Sequence, residues 1–179
     1  MRDPLRRLAA VLGVSLLGAC AHAPPTIPPV ASVDLPRFMG DWYVIAHIPT
    51  RFERDAYGAV ESYALRPDGR IATTFRYRDG AFDAPEKTMH PVGTVRADTG
   101  NAVWDMRFFA LFDAEYVIVY LKDDYSETII GRSDRDYAWI MARTPTISDD
   151  DYREATARLG ALGYSLDGLR KVPQPAPAR

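Results

Sequence analysis

The sequence contains one cysteine, Cys20, among 179 residues, so no disulfide bond can form within the chain. Histidine is nearly as scarce, with three residues, and no two of them have the spacing of metal ligands. The 22 basic and 24 acidic residues nearly cancel and leave a net charge of −2. These shortages predict a protein that has no internal disulfide, holds no metal and does not bind nucleic acid.

The sequence also lacks the short motifs that mark common catalytic sites. It has no H-E-x-x-H, no G-x-S-x-G and no glycine-rich phosphate loop. We therefore expect a protein that is not an enzyme and that needs no cofactor.

The N-terminal apolar run is too short to cross a bilayer, because it covers only Leu8–Leu17. Basic residues precede it at Arg2, Arg6 and Arg7. This order is typical of a secretory signal peptide, which we place at residues 1–19.

The next segment, residues 20–33, contains four prolines and is predicted to be an extended tether in which no core forms. The remaining chain divides into one folded domain over residues 34–175 and a short tail over residues 176–179. A chain of this length is expected to form a single domain.

From Leu35 onward, strand-like runs alternate with Gly, Pro and Asp turns. Ser148 and the acidic residues after it indicate the start of a helix, which ends at Gly160 or Gly163. A helical turn is expected over Leu35–Met39 and a short last strand within Leu166–Val172. Eight further strands are predicted at Trp42–Ile48, Ala59–Leu65, Ile71–Arg78, Thr88–Val95, Ala102–Phe108, Tyr116–Leu121, Tyr125–Gly131 and Tyr137–Arg143.

Eight consecutive strands with short links favour an up-and-down barrel, because closure removes the exposed sheet edges. Gly40 allows a sharp turn into the first strand, which then begins with Trp42. Arg143 ends the last strand, and its guanidinium can stack on an indole while donating to nearby carbonyls. Gly40, Trp42 and Arg143 are therefore expected to form the barrel floor.

These residues are part of an ordered set of motifs that resembles the lipocalins, and most of all their bacterial outer-membrane members. The resemblance implies an all-β fold, an eight-stranded antiparallel up-and-down barrel with a C-terminal α-helix packed outside. It also implies that Asp124 and Tyr125 form a structural turn near the floor. The motifs are Phe38-Met39-Gly40-Asp41-Trp42-Tyr43, Arg51-Phe52-Glu53-Arg54, Asp124-Tyr125, Ser133-Asp134-Arg135-Asp136-Tyr137-Ala138-Trp139 and Arg143-Thr144-Pro145-Thr146-Ile147-Ser148.

Leu17-Gly18-Ala19-Cys20 resembles a bacterial lipobox, which implies that Cys20 carries a lipid anchor. Two or more acyl chains hold a protein stably on a membrane. Ala21 after the cysteine implies transfer to the outer membrane, where we expect the protein to be anchored. The alternative is simple cleavage and secretion.

Side chains alternate across a strand, so one set from each strand faces the barrel interior. The resemblance favours Glu61 and Tyr63 inside on the second strand, and on the third and fifth strands we choose the set without charged residues. The sixth strand is apolar on both faces, and there we favour the tyrosine set. On the eighth strand the chosen set shares a face with Arg143. An interior pocket is the preferred binding site. Its predicted lining is Glu61, Tyr63, Phe75, Tyr77, His90, Trp104, Met106, Phe108, Tyr116, Tyr120, Trp139 and Met141.

This aromatic and apolar lining suits an elongated amphiphile. The resemblance implies an amphipathic lipid, a fatty acid or a lysophospholipid, bound for storage or transport in the cell envelope. If Glu61 lies inside, it is expected to pair with a cationic head group. Two alternatives stay open: a barrel enzyme acting on a lipid or isoprenoid through Glu61 with His90 or Tyr63, and a carrier of heme or another tetrapyrrole.

The stretch Phe108-Phe109-Ala110-Leu111-Phe112 is unusually apolar for a connection between strands. An exposed apolar patch indicates either a homodimer surface or a contact with lipid. A loop folded into the barrel is the third interpretation of the same residues.

Overall fold

The protein is described by a computed structural model that covers residues 25–108 and 112–175. The signal peptide, Cys20, Phe109-Ala110-Leu111 and the tail lie outside the described residues. The chain forms helix α1 (Leu35–Phe38), then strands β1 to β9, helix α2 (Asp149–Ala161) and strand β10 (Arg170–Lys171). The nine strands are β1 (Gly40–Ile48), β2 (Ala56–Leu65), β3 (Ile71–Asp79), β4 (Glu86–Met89), β5 (Val92–Val95), β6 (Val103–Phe108), β7 (Phe112–Leu121), β8 (Glu127–Gly131) and β9 (Ala138–Ala142).

The fold is a closed antiparallel barrel of eight strands, as the sequence predicts. Strands β1, β2, β3, β5, β6, β7, β8 and β9 pair in that order, and β9 returns to β1. Two short strands are additional: β4 pairs with β3, and β10 pairs with β1. Closure satisfies the backbone groups that an open sheet would leave at its edges.

The single strand predicted over Thr88–Val95 is in fact two strands, β4 and β5, interrupted at His90 and Pro91. Proline has no N–H to donate to a strand ladder, so pairing stops there. The carbonyl of Pro91 still accepts a hydrogen bond of 3.0 Å from the Thr73 N–H. Both strands therefore remain alongside β3.

Helix α2 packs outside the barrel, as expected. Ser148 is its N-cap and accepts from the Asp151 N–H, while Asp149, Asp150 and Asp151 complement the positive end of the helix. Ala155 and Leu159 are buried in a cluster with outward-facing residues of β1, β8 and β9. The helix thus covers one apolar side of the barrel and leaves the barrel interior free.

The tether prediction is wrong for the part of that segment that the structure describes. Ile27 is completely buried and packs on Val103 and Val117, on the outside of β6 and β7. The N–H of Val30 donates to Ile118 O at 2.9 Å, and the N–H of Val33 donates to Gly100 O at 2.7 Å. Ile27 and Val33 are isolated apolar residues in a proline-rich segment, so their packing could not be predicted from the composition of the segment.

Candidate functional site: a cavity at the open end of the barrel

One end of the barrel opens into a cavity of about 370 Å³. This open end is formed by loops 49–55, 80–85 and 132–137, together with the adjoining ends of β6 and β7. The volume falls within the range of small-molecule binding sites. The lining residues are Thr50, Arg51, Phe52, Glu53, Glu61, Phe75, Met89, Met106, Phe108, Phe112, Asp113, Ala114, Glu115, Tyr116, Arg132, Asp136, Tyr137 and Trp139.

The opposite end is closed by Trp42 and Arg143. The Arg143 guanidinium carbon lies 3.8 Å from the centre of the Trp42 ring, and its N–H groups donate to the carbonyls of Arg37, Phe38, Met39 and Asp41. Indole Nε1 of Trp42 donates to Phe38 O at 2.8 Å. The predicted stacking is therefore present. Together with the hydrogen bonds it connects α1 to β1 and β9, the two strands that close the barrel.

Gly40 and the turn after β7 complete this closed end. Gly40 has φ +94°, which favours glycine, and a Cβ there would lie 3.5 Å from Arg143. Asp124 accepts from the Ser126 N–H, and the Tyr125 hydroxyl accepts from the Asp34 N–H at 2.9 Å. Asp124 and Tyr125 thus lie where the resemblance implies, at the floor and away from the cavity.

A layer of aromatic rings separates the floor from the cavity. Phe38 contacts Trp42, Tyr63 and Trp104 with ring centroids 4.9 to 5.7 Å apart. Tyr63, Trp104 and Met141 are fully or almost fully buried in the same inner core. These three residues were predicted to line the pocket, but they lie beneath it because the lower half of the barrel is filled.

A polar cluster forms the base of the cavity. The Tyr63 hydroxyl donates to the Glu61 carboxylate, and the Tyr63 and Tyr116 hydroxyls share a hydrogen bond of 2.7 Å. Burial raises the pKa of Glu61 from 4.5 to about 7; the Tyr63 hydrogen bond opposes the rise, and the Glu53 charge adds to it. Glu61 is therefore protonated in much of the population at neutral pH.

Glu53 is a second carboxylate on the cavity wall and holds loop 49–55 in place. Its side chain accepts from the Thr50 N–H at 3.1 Å and from Trp139 Nε1 at 3.3 Å. His47 Nδ1 lies 3.9 Å from Glu53 Oε2, and His47 is completely buried. The loop is thereby fixed to the inner face of β1 and β9.

Six of the predicted lining residues lie on the cavity wall: Glu61, Phe75, Met106, Phe108, Tyr116 and Trp139. Tyr77 stands beside the cavity, where it stacks on Phe75 and its hydroxyl donates to Phe52 O at 2.9 Å. Tyr77 therefore supports the loop rather than the wall.

Besides the three residues that lie beneath the cavity, two predicted pocket residues do not face the barrel interior at all. Tyr120 faces outward, because a register shift between Ile118 and Tyr120 turns it towards α2, where Arg158 stacks on its ring at 4.2 Å. His90 is exposed, since the chain leaves the barrel interior at the β4–β5 break, and its Nδ1 lies 3.4 Å from the Thr74 hydroxyl. A pairing of Glu61 with His90 is therefore excluded.

Other wall residues were not anticipated from the sequence. Glu53 lies in a loop, where the alternation of side chains gives no information, although the Arg51-Phe52-Glu53-Arg54 motif pointed to that loop. Met89 is a wall residue because β4 pairs with β3 and places Met89 opposite Phe75. His47 is not itself on the wall, but a register shift between Val44 and Ala46 turns it inward beside Glu53, which the sequence pattern does not reveal.

Within residues 25–108 and 112–175, no group of three or more His, Cys, Asp or Glu side chains is arranged to hold a metal ion. None of the helices in that part of the chain is long and apolar enough to cross a membrane.

Comparison with known proteins gives a consistent result. The family described as "Lipocalin-like domain" matches residues 33–174. Outer membrane lipoprotein Blc of Citrobacter freundii is 32% identical over 170 residues, which cover 94% of this chain and 96% of that protein. The protein of the same name in Escherichia coli K12 is 31% identical over 173 residues, with the same coverage. Insecticyanin from the tobacco hornworm Manduca sexta shares the fold, with a TM-score of 0.66 at 15% identity over 84% of this chain and 86% of that chain.

Proposed function

The chain belongs to the lipocalin family, and from this premise we propose that its cavity binds one amphipathic lipid, a fatty acid or a lysophospholipid, for storage or transport in the cell envelope. The observation that carries the proposal is a cavity that is open at one end, closed below by packed aromatic rings and lined between mainly by apolar and aromatic surface, with charged side chains among the wall residues. An acyl chain enters such a cavity lengthwise.

The protein is a lipid-anchored protein of the outer membrane, as are the relatives named outer membrane lipoproteins. We propose Cys20 as the residue that carries the anchor, since it directly follows the signal peptide inferred from the sequence. The binding domain is then held beside a bilayer that contains acyl chains.

The apolar wall supplies most of the affinity in this proposal. Each buried methylene contributes about 0.8 kcal/mol, so a chain of about ten methylenes gains about 8 kcal/mol. Association costs at least about 4 kcal/mol. Micromolar affinity, about 8 kcal/mol net, therefore requires further contacts, which the Tyr116 ring and the polar residues at the open end provide.

A displacement titration tests the binding proposal. A fluorescent fatty acid bound to the wild-type protein should be displaced by palmitate or by a lysophospholipid at micromolar concentration. Ala114→Trp places a ring on the cavity wall and removes space for two or more methylenes, which should weaken binding about tenfold. Ala64→Trp, on an exposed position of β2, is the matched control. Equal affinities of the two variants would reject the cavity as the binding site.

We infer binding without turnover, because the carboxyl and the two hydroxyls at the cavity base are hydrogen-bonded to one another and the sequence carries none of the common catalytic motifs. Glu61 with Tyr63 is the remaining pair of the enzyme alternative. Turnover of a lipid or isoprenoid that is lost in Glu61→Gln would support that alternative instead.

The tetrapyrrole alternative has little support from the described histidines. His90 is exposed, and neither His47 nor His90 is on the cavity wall. Addition of heme to the purified protein should leave the Soret band unshifted, whereas a shift that His47→Ala abolishes would favour the tetrapyrrole carrier.

A further inference from the structure

We propose that the open end of the barrel faces the membrane that holds the anchor, and that an aromatic rim of Phe52, Phe82 and Phe112 contacts the lipid surface. This inference rests on the proposed lipid attachment at Cys20, and it does not depend on which ligand the cavity binds. It follows from where the N-terminal segment leaves the barrel and from what is exposed there.

The N-terminal segment leaves the domain at the open end. The Thr26 N–H donates to the Ser133 hydroxyl at 2.9 Å, and Arg135 donates to the Thr26 hydroxyl at 3.3 Å. Ser133 and Arg135 belong to loop 132–137, which also supplies wall residues of the cavity. From Thr26 the segment runs along β6 and β7 to Val33, which bonds to Gly100 at the closed end.

The length of chain between Cys20 and Thr26 limits how the domain can be oriented on the membrane. Thr26 lies six positions after Cys20, so this connection reaches about 20 Å at most. Strand β7 has ten residues, about 34 Å of extended chain, which gives a barrel about 26 Å high at a tilt of about 40°. The connection is therefore shorter than the barrel, and the anchor cannot reach a membrane that lies against the closed end.

The open end carries exposed aromatic side chains. Phe52 is 48% exposed, Phe82 is 46% exposed and Phe112 is 51% exposed. They lie on loop 49–55, on loop 80–85 and at the start of β7, all at this end of the barrel. Phe52 and Phe112 are also on the cavity wall, whereas the Phe82 ring packs edge-on against Tyr57. Arg51 stacks on the Phe52 ring at 4.6 Å, a pairing of a cation with an apolar ring that suits the boundary between head groups and acyl chains.

A bilayer is the occupant that both observations favour. Three large aromatic side chains exposed at one end of the barrel form an apolar surface larger than that of a single exposed residue, which indicates an interaction surface. The short connection from Cys20 keeps that surface within reach of the anchoring bilayer. The opening of the cavity lies among the same residues. A lipid can then pass between bilayer and cavity without crossing bulk water, which avoids exposing its acyl chain.

Lipid-borne quenching tests the orientation on the mature, lipidated protein that begins at Cys20, in vesicles of phosphatidylethanolamine and phosphatidylglycerol. Phe82→Cys and Leu65→Cys place one fluorophore each at the open and closed ends, on side chains that are 46% and 45% exposed. Neither residue is on the cavity wall. Nitroxide-labelled phospholipid should quench the label at position 82 several-fold more than the label at position 65. Equal quenching, or stronger quenching at position 65, would overturn the proposal.

Release of the docked N-terminal segment from the barrel should remove the difference in quenching between the two labels. Gly100→Ala would drive a Cβ into the Ala31 carbonyl oxygen, and Ile27→Ser removes the buried apolar side chain that holds the segment on the barrel. The free chain from Cys20 to Asp34 then reaches about 48 Å, enough for either end to approach the bilayer. Quenching at the two labels should become similar in both variants, with circular dichroism unchanged. A preserved preference in folded variants would contradict the role of the docked segment.

Two further outcomes are distinguishable. If a second copy of the chain covers the rim, the label at position 82 is shielded from a soluble quencher in a concentration-dependent way while lipid-borne quenching stays weak, which overturns the proposal.

The protein used for this measurement keeps its covalent anchor, but any lipid bound non-covalently in the cavity is removed beforehand and no ligand is added. A failure of ligand binding therefore leaves the orientation result intact, and the reverse also holds.

Discussion

Replacement of Glu61 by Gln should remove a pH dependence of stability that the cavity base creates. The folded-state pKa of Glu61 is about 7, above its ordinary value of 4.5, because the carboxyl is buried. Below pH 4.5 the group is protonated in both states and costs nothing. As the pH rises from 4.5 to 7 the unfolded chain ionises first, so stability falls across this window and stays low above it.

The size of the effect follows from the shift. Each pKa unit corresponds to about 1.4 kcal/mol, so the shift from 4.5 to about 7 is worth about 3 to 4 kcal/mol at full desolvation. Water that enters through the open end reduces this to about 2 to 3 kcal/mol. The glutamine side chain of the Glu61→Gln variant would keep a hydrogen bond to Tyr63 but cannot ionise. The variant should therefore be more stable than wild type at pH 8 and similar to it at pH 4.5.

Urea unfolding at several pH values measures this difference on a soluble form that begins at Ala21 and keeps the docked segment. The wild-type midpoint should fall by about 1 to 2 M relative to Glu61→Gln between pH 4.5 and 8. Glu86→Gln, at an exposed position of β4, is the control and should follow wild type. Parallel pH profiles for wild type and Glu61→Gln would refute the assignment of a raised pKa to Glu61.

Two other predictions concern the floor and the ligand. The Arg143→Lys variant loses a planar donor to four backbone carbonyls and the stacking on Trp42, so urea titrations should show a free energy of unfolding that is lower by about 2 to 4 kcal/mol. Arg153→Lys, at an exposed position, is the control and should change it by less than about 0.5 kcal/mol. Equal effects of the two substitutions would contradict the role of Arg143 in closing the barrel floor. If the acyl chain lies over Glu61, fluorescent fatty-acid binding should weaken as the pH rises through 7, and this change should be smaller in Glu61→Gln. The same pH dependence in wild type and Glu61→Gln would contradict a chain that lies over this carboxyl.

Much of the fold could be predicted because its determinants are local or are strong pairwise signals. Strand runs with Gly and Asp turns mark the barrel, and the acidic first turn after Ser148 marks α2. The Trp42 and Arg143 pair links the ends of the barrel because few other residues stack and donate in this way. Alternation placed Phe75 and Met106 on the inner face, where β3 and β6 run without bulges.

The remaining features depend on contacts that a strand pattern does not encode. Two register shifts reverse the alternation, which turned Tyr120 outward and His47 inward. The depth of the cavity depends on how many rings pack over Phe38, so Tyr63 and Trp104 lie in the ring layer beneath the cavity and not on its wall. Ile27 packs through long-range contacts alone.

The identity of the bound molecule tests the central claim most directly. Protein released from outer membranes under mild conditions and examined by native mass spectrometry should carry one fatty acid or one lysophospholipid per chain, and Ala114→Trp should carry much less than Ala64→Trp. Wild-type protein that carries no lipid, and that takes up none when a fatty acid or lysophospholipid is added at micromolar concentration, would contradict the account.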